Sequence, residues 1–448
     1  MSVNTNASPA LNPRMEPAEP NRWRTLLFGL QHVLVMYTGA VTVPLVFGAA
    51  VGLDPSQIAA LVNADLLVCG LITILQAVGV RKVLGARMPV VAGASFTAVT
   101  PMILIGEEYG LSAVWGSMIA AGLFGLLIAG PFAKMLRFFP AAVRGAAVTM
   151  IGLSLIGKAV SMITGEGPTA PAHLALAAGI IVLIVVLMHY GKGFWSQASV
   201  LIALVAGTVV AAAMSMTDFS AAVDAPWLGL PQPFMFGAPT FPLPAVISMC
   251  VVMLVIFTES TAYLLSVGET TGKPTTQPVL ARGLAADGAS AVLGGFLTSF
   301  PDTVFAQNVS LLRLSGVTSR RVVTCAGIIL VALGSLPKMG EFVAALPGPV
   351  IGAVSLVMFA TVAGVGITSL AQVDYVRNSN LLIVSLALGV GMIPIVAGDL
   401  VAQLPAAARI VFGNAIASAA ITAFALNLLF HHLTPALRRT PNAPTTDR

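Results

Sequence analysis

Apolar residues in this chain run in long unbroken stretches, separated by short polar or Gly/Pro-containing breaks. Fourteen such stretches can be marked: 25–49, 56–80, 88–106, 112–133, 138–162, 172–190 and 197–217, then 243–267, 277–299, 300–316, 319–343, 347–371, 379–397 and 406–432. A helix needs about 20 residues to cross a hydrocarbon core of about 30 Å, which most of these supply. A β-barrel would alternate apolar and polar residues every second position, and these runs do not. The pattern predicts an all-α polytopic membrane protein with 14 transmembrane segments.

The basic residues orient it. With both termini cytoplasmic, Arg14, Arg22, Arg24, Arg81, Lys82, Arg87, Lys134, Arg137 and Arg144 lie inside. Lys192, Lys273, Arg282, Arg313, Arg320, Arg321, Arg377, Arg438, Arg439 and Arg448 join them, making 19 of 22; only Lys158, Lys338 and Arg409 fall near the other face. Positive charge gathers on the cytoplasmic side of membrane proteins, so the bias supports both the count and the direction. Residues 1–24 and 435–448 are polar and are expected to be cytoplasmic tails; the first carries no signal-peptide pattern.

Two stretches are broken in the same way. The third contains Pro89, Gly93 and Pro101; the tenth reads Pro301-Asp302-Thr303-Val304-Phe305-Ala306-Gln307-Asn308. Each is third in a set of seven, and an odd number of crossings per set inverts the second half. Paired interruptions in inverted halves point to a transporter binding site, where helix amino ends offer free N–H groups.

Composition narrows the classes. Hydrophobic residues make up 57% and charged residues 9%, against roughly a quarter charged in soluble domains. The net charge of +5 therefore reflects basic loops rather than nucleic-acid binding. Cys69, Cys250 and Cys325 each sit in an apolar run, which argues against a disulfide framework or a metal-ligand cluster. No nucleophile–base arrangement is visible, so an enzyme is not expected, and neither is a cofactor.

Against this background a few polar residues stand out. An acid at the bilayer centre costs at least about 2.5–3.5 kcal/mol, so such acids are functional candidates. Glu259 is one, as a protonatable contact for a polar ligand; its alternative is a structural carboxyl bonded to neighbouring helices. Asp287, beside Gly288, is as readily a site-organising residue. Asp65 and Asn63 fit a helix interface better than a ligand site. Gln307 and Asn308 each offer a donor and an acceptor in one plane, matching the edge of a purine or pyrimidine. Phe96 is placed to stack on a planar ring, although a lone Phe usually packs. His32 reads as a satisfied interior histidine.

The run Gln307-Asn308-Val309-Ser310-Leu311-Leu312-Arg313-Leu314-Ser315-Gly316 resembles the signature motif of the nucleobase–ascorbate transporters, also called nucleobase:cation symporter family 2. Gln31-His32 leading to Pro44, Gly93-Ala94-Ser95-Phe96 and Glu259-Ser260 match related motifs, and the resemblance covers about 25–430. It implies two inverted seven-helix repeats. Core-domain segments would occupy 25–136 and 243–343, and gate-domain segments 137–218 and 347–432. Short strands would precede the half-helices of segments three and ten. Family members are commonly homodimers that work by elevator-like movement of the core and couple nucleobase import to protons or sodium.

Carried over by position, the resemblance makes Glu259, Gln307, Phe96, Asn308 and Ala306 substrate-binding. Glu259, Asp287 and His32 become proton-coupling or site-organising residues. Gln rather than Glu at 307, and the run Leu61-Val62-Asn63-Ala64-Asp65-Leu66, resemble the xanthine and urate branch. Ser310 and Ser315 depart from the motif, which usually has Gly and Thr there. The expected function is secondary active import of xanthine or urate by proton symport across the inner membrane. The alternatives are a uracil permease of the same fold and an anion transporter of the related sulfate-carrier fold.

Overall fold

A computed structural model of the chain describes residues 20–433 except 136–137, 166–169, 377, 406–407 and 410–411. The expected terminal tails, apart from residues 20–24, and the cytoplasmic assignments of Arg14, Arg137, Arg377, Arg438, Arg439 and Arg448 lie outside the described residues.

The first half comprises α1 (Arg22–Ala50), α2 (Pro55–Val78), β1 (Ala92–Ala94), a 3-10 turn (Phe96–Ala98), α3 (Val99–Tyr109), α4 (Leu111–Lys134), α5 (Ala141–Thr164), α6 (Pro171–Tyr190), α7 (Phe194–Gln197), α8 (Ser199–Ala213) and α9 (Ser220–Asp224). The second comprises α10 (Leu243–Thr271), α11 (Gln277–Leu297), β2 (Asp302–Val304), α12 (Ala306–Ser315), α13 (Arg320–Gly334), α14 (Pro337–Ala344), α15 (Gly348–Leu370), α16 (Asn378–Val396), α17 (Gly398–Ala402) and α18 (Ala415–Asn427), with a π-helical turn over Leu428–Leu433. Among the described residues, nine helices are long and apolar enough to cross a membrane. The protein is a mostly helical, multi-pass membrane protein.

The elements start where local chemistry dictates. Asn21 accepts from Arg24 N at 2.9 Å and opens α1 three residues before the apolar run at 25. Pro55 supplies the first turn of α2, and Gln57 closes a capping box with Asp54. Of the stretches read as single spans, one is divided and one is shortened. Residues 319–343 form α13 and α14, bent by 78° ahead of Pro337, because proline cannot donate into the preceding turn. Residues 197–217 carry the fifteen-residue α8, with Gly193 at φ 57° ahead of the short α7.

Two packed groups emerge. α4 lies on α10 and α11, and α2 on α13 and α14; α5 lies on α15, α16 and α18. α4 and α11 approach closely enough that a methyl on Gly122 would come within 2.6 Å of Val292 N, and one on Gly288 within 2.8 Å of Leu126 N. Small residues permit such backbone contact, which drives helix association where lipid removes the hydrophobic term. By contrast α6 and α16, among the most apolar helices, bury only 22% of their most apolar windows. Their exposed Val182, Val185, Leu381 and Leu386 present hydrocarbon outward, as a lipid-facing surface does.

Candidate functional site

The site is built where the two broken stretches meet. β1 and β2 pair antiparallel, with Ala92 opposite Val304, Gly93 opposite Thr303 and Ala94 opposite Asp302. Ser95 N donates to Pro301 O and Phe305 N to Val91 O, both at 2.9 Å, closing the ladder at either end. Each strand runs straight into a helix start. Ser95 Oγ accepts from Thr97 N at 3.3 Å, and Phe305 leads into α12. The first-turn N–H groups of a helix have no partner four residues back, and its amino end carries partial positive charge.

Phe305 is clamped. A methyl on Gly39 of α1 would stand 2.5 Å from its ring, and one on Gly93 of β1 would stand 2.6 Å from it. Both positions need glycine so that the ring can sit between α1 and β1. That contact fixes the start of α12.

A cavity of about 110 Å³ opens beside this crossing. Phe96, Ala306, Gln307 and Ser310 line it from the half-helices, Glu259 and Tyr263 from α10, Thr303 from β2, and Thr361, Val362 and Val365 from α15. Glu259 lies near the middle of α10 and is half-buried; its Oε2 accepts from Thr97 Oγ1 at 3.3 Å. Phe96 packs edge-on against Phe359 of α15, with centroids 5.3 Å apart. The cavity thus joins a carboxyl, a primary amide, hydroxyls and an aromatic ring at a helix amino end.

Of the seven residues assigned to the site from the sequence, four line one cavity: Glu259, Gln307, Phe96 and Ala306. The other three do not. Asn308 is buried and turns away, with Nδ2 at 3.0 Å from His32 Nδ1 and 2.9 Å from His32 O. Successive helix residues point about 100° apart, so adjacent amides serve different faces. His32 is thereby a joint between α1 and α12. Asp287 is fully buried behind the cavity, where Gln76 Nε2 donates to its Oδ1 at 3.2 Å. The same Gln76 nitrogen donates to Gly283 O, and Gln76 Oε1 accepts from Ala86 N, both at 3.0 Å.

Behind β2 lies a polar layer that the sequence reading did not assemble. Ser260 Oγ and Thr303 Oγ1 share a bond of 2.9 Å, and Ser260 Oγ accepts from Val304 N at 3.3 Å. Asp302 N donates to Ser290 Oγ at 2.9 Å. Cys69 Sγ donates to Asp302 Oδ1 at 3.2 Å and also faces Asp65 Oδ2 at 3.6 Å, while Ser299 Oγ donates to Asp65 Oδ1 at 3.2 Å. Cys69 was read as one of three isolated apolar cysteines; the fold instead brings it to two acids. These bonds hold the strand pair onto α2, α10 and α11.

Tyr263 was missed, although its place four residues after Glu259, on the same helix face, was a signal that could have found it. Thr361 and Val365 gave no signal, because α15 carries no charged residue.

A model described as "Permease family" (Xan_ur_permease) matches residues 24–399. The "Xanthine permease" of Bacillus subtilis (strain 168) is 39% identical over 412 residues, covering 91% of this chain and 94% of the relative. The "Uric acid permease PucK" of the same organism is 40% identical over 419 residues, covering 93% and 97%. In fold, the chain is similar to the murine Solute Carrier 26 family member A9 anion transporter in the inward-facing state. The TM-score is 0.65 at 14% identity, over 94% of this chain and 69% of the other.

Proposed function

The chain belongs to the permease family, and from that premise we propose that it imports an oxopurine nucleobase, xanthine or urate, by proton symport across the inner membrane. The observation that carries this reading is Glu259 and Gln307 lining one cavity with Phe96 at its wall. A neutral amide pairs with a ring edge that offers both a donor and an acceptor. The helix amino end at Ala306 favours the partial negative charge of a ring carbonyl.

In this reading α1–α4 with α10–α14 form the moving core, and α5–α8 with α15–α18 form the gate. The fourteen segments make two inverted repeats, both termini are cytoplasmic, and the protein works as a homodimer. The substrate cavity lies between core and gate, since α15 closes it against residues of α10 and α12. Movement of the core past α15 would then carry the substrate from one face to the other. Glu259 takes up a proton with the substrate and releases it inside, with Asp287 holding the surrounding helices through Gln76. For neutral xanthine carried with one proton, the one net charge moved inward gains about 2.3 kcal/mol per 100 mV, which supports roughly 50-fold accumulation per 100 mV, whereas anionic urate with one proton moves no net charge. A fold shared with an anion transporter leaves an inorganic-anion carrier as the rival; such a site wants a basic residue, and among the described residues none lines this cavity.

The test is uptake of labelled xanthine into proteoliposomes under an inward proton gradient, with urate, uracil and sulfate as competitors. Uptake beyond equilibrium, blocked by urate but not by uracil or sulfate, is expected. Inhibition by uracil at lower concentration than by urate would transfer the assignment to a pyrimidine carrier, and uncoupled sulfate flux would transfer it to an anion carrier.

A further inference from the structure

The polar residues of the substrate cavity continue beyond it, in register, on two helices. On α10, Glu259 and Tyr263 line the cavity. Ser266 and Thr270 follow three and then four residues on, which keeps them on the same helix face. On α12, Gln307 and Ser310 line the cavity, and Arg313 follows three residues later on that face. The two rows meet: Arg313 Nη2 donates to Ser266 Oγ at 2.5 Å, and its Nε donates to Thr270 Oγ1 at 3.4 Å. A lane of amide and hydroxyl groups therefore leads from the cavity to a guanidinium. Arg313 stands about 9 Å along α12 from Gln307, at about 1.5 Å of rise per residue.

The lane has a direction. α10 runs on to Lys273, and α12 to Arg320 and Arg321, so in the orientation proposed above it opens to the cytoplasm. Arg313 is exposed there, and the groups that hold it are neutral hydroxyls. Among the described residues it has no carboxylate partner, unlike Arg409, which pairs with Glu108. Glu269, the closest acid along α10, precedes Thr270 and so points about 100° away from it. The facing helix α15 carries no charged residue, and Lys273 adds charge of the same sign. An unneutralised cation at the mouth of a low-dielectric cleft concentrates anions in it. Its reach is about 10 Å at 0.1 M salt, which spans the distance back to Gln307.

We propose that Arg313 is a specificity-determining residue at the cytoplasmic mouth, which holds an anionic oxopurine between Ser310 and the cytoplasm in preference to a neutral one. This rests on the orientation and substrate class proposed above. Gln307 pairs with a ring edge whatever the charge of the ring; Arg313 adds a group that reads the charge. Ser266 and Thr270 take one N–H each, which fixes the guanidinium over the lane and leaves its other donors for a ring oxygen.

The experiment uses the full chain in sealed inverted vesicles, whose outer surface is the cytoplasmic face. Exchange is measured at mildly acidic pH, where urate carries one negative charge and xanthine none. In Arg313→Gln, the half-saturating urate concentration is expected to rise about three- to fivefold, the effect of one charge near contact in a water-like medium. Xanthine should change little, Arg313→Lys should restore urate, and right-side-out vesicles should show no such rise. Salt at about 1 M, where the screening length is about 3 Å, should erase the difference. Ser266→Ala with Thr270→Ala keeps the charge and removes the tie, and should retain the preference for urate. An equal rise for both rings, or a rise in the double alanine variant as large as in Arg313→Gln, overturns the proposal and leaves Arg313 as a tie between α10 and α12. No rise at low salt overturns it too, leaving a solvated surface charge. Should Arg313→Gln fail to fold, the parent chain carries the test, since a preference for urate that ignores salt is equally fatal. If the parent vesicles exchange neither ring, the transport reading fails. Urate binding to the purified protein that is unchanged in Arg313→Lys and in Arg313→Gln would then overturn the proposal separately.

Discussion

The side-chain amide of Asn308 reaches both the ring and the backbone of His32, at 3.0 Å to Nδ1 and 2.9 Å to O. This pair pins the first turn of α12, and with it Gln307, to α1. Because the donor is an NH₂ group, His32 Nδ1 is the acceptor and the ring proton sits on Nε2. Asn308→Asp replaces the donor with oxygens facing a carbonyl oxygen, whereas Asn308→Ala only removes it. Leaving buried polar groups unpaired costs about 1–3 kcal/mol each. We expect both variants to melt below wild type, with Asn308→Asp the lower. Thermal unfolding of the detergent-solubilised protein decides this, and the reverse order would mean that the amide is not the donor.

Gln307 lines the cavity where its neighbour does not. Gln307→Ala removes one donor and one acceptor from the proposed ring contact, a loss of about 1–3 kcal/mol, or roughly 5- to 150-fold in affinity. The loss should fall on the affinity for xanthine, with the melting temperature unchanged. Equilibrium binding to purified protein measures it, and an unchanged affinity would remove Gln307 from the site.

How much of this was legible in the sequence depends on the kind of signal. The paired breaks around Gly93 and Pro301 were visible because proline, glycine and polar residues interrupt apolar runs for a reason. Glu259 was visible because an acid there is costly. The division of labour between Gln307 and Asn308 was not, since a helix turns them apart only once its axis is placed. The role of Phe305 was equally hidden. A phenylalanine in an apolar run looks like packing, and only the fold reveals Gly39 and Gly93 on either side of it. The bend in residues 319–343 did have a mark, Pro337, but the apolar run around it is long enough to read as one span. The cluster of Asp65, Cys69 and Asp302 joins positions more than 230 residues apart, which no local pattern reports.

The Phe305 clamp yields a compensation test. Gly93→Ala forces a methyl to within 2.6 Å of the ring, so the ring or the strand must shift. Overpacking of this kind typically costs about 1–3 kcal/mol. Transport should fall in Gly93→Ala and recover in part when Phe305→Leu is added, although Phe305→Leu alone is also impaired. Uptake assays on the two single variants and the double variant give the coupling. Additive losses would show that the two residues act independently.

Glu259→Gln tests the coupling assigned to the carboxyl. The amide keeps the shape and can still pair with the Thr97 hydroxyl, which lies 3.3 Å from the native carboxyl, but it carries no proton through the cycle. We expect the variant to bind xanthine and to exchange internal for external substrate. Its gradient-driven accumulation should fall from roughly 50-fold per 100 mV to none. Counterflow and net uptake, measured on the same vesicles, separate the two. Wild-type accumulation in Glu259→Gln would move the proton to another group.

The last prediction concerns the ion pair between Glu108, at the end of α3, and Arg409. In the proposed division these residues belong to core and gate, on the face away from most basic loops, so the pair would hold that side closed. Its side chains are 26% and 36% exposed, and a pair so open to solvent contributes about 0–1 kcal/mol. Breaking it should therefore shift the balance between open and closed forms by no more than about fivefold, without abolishing transport. Glu108→Gln should speed labelling of a cysteine placed at Thr361, on the α15 wall of the substrate cavity, by an impermeant maleimide from the outer face. Charge reversal of both residues, Glu108→Arg with Arg409→Glu, should restore the slow rate. Equal labelling in wild type, single variant and double reversal would mean that the pair does not bridge moving parts. A loss of transport in Glu108→Gln far beyond fivefold would assign Glu108 a role greater than that of a surface latch.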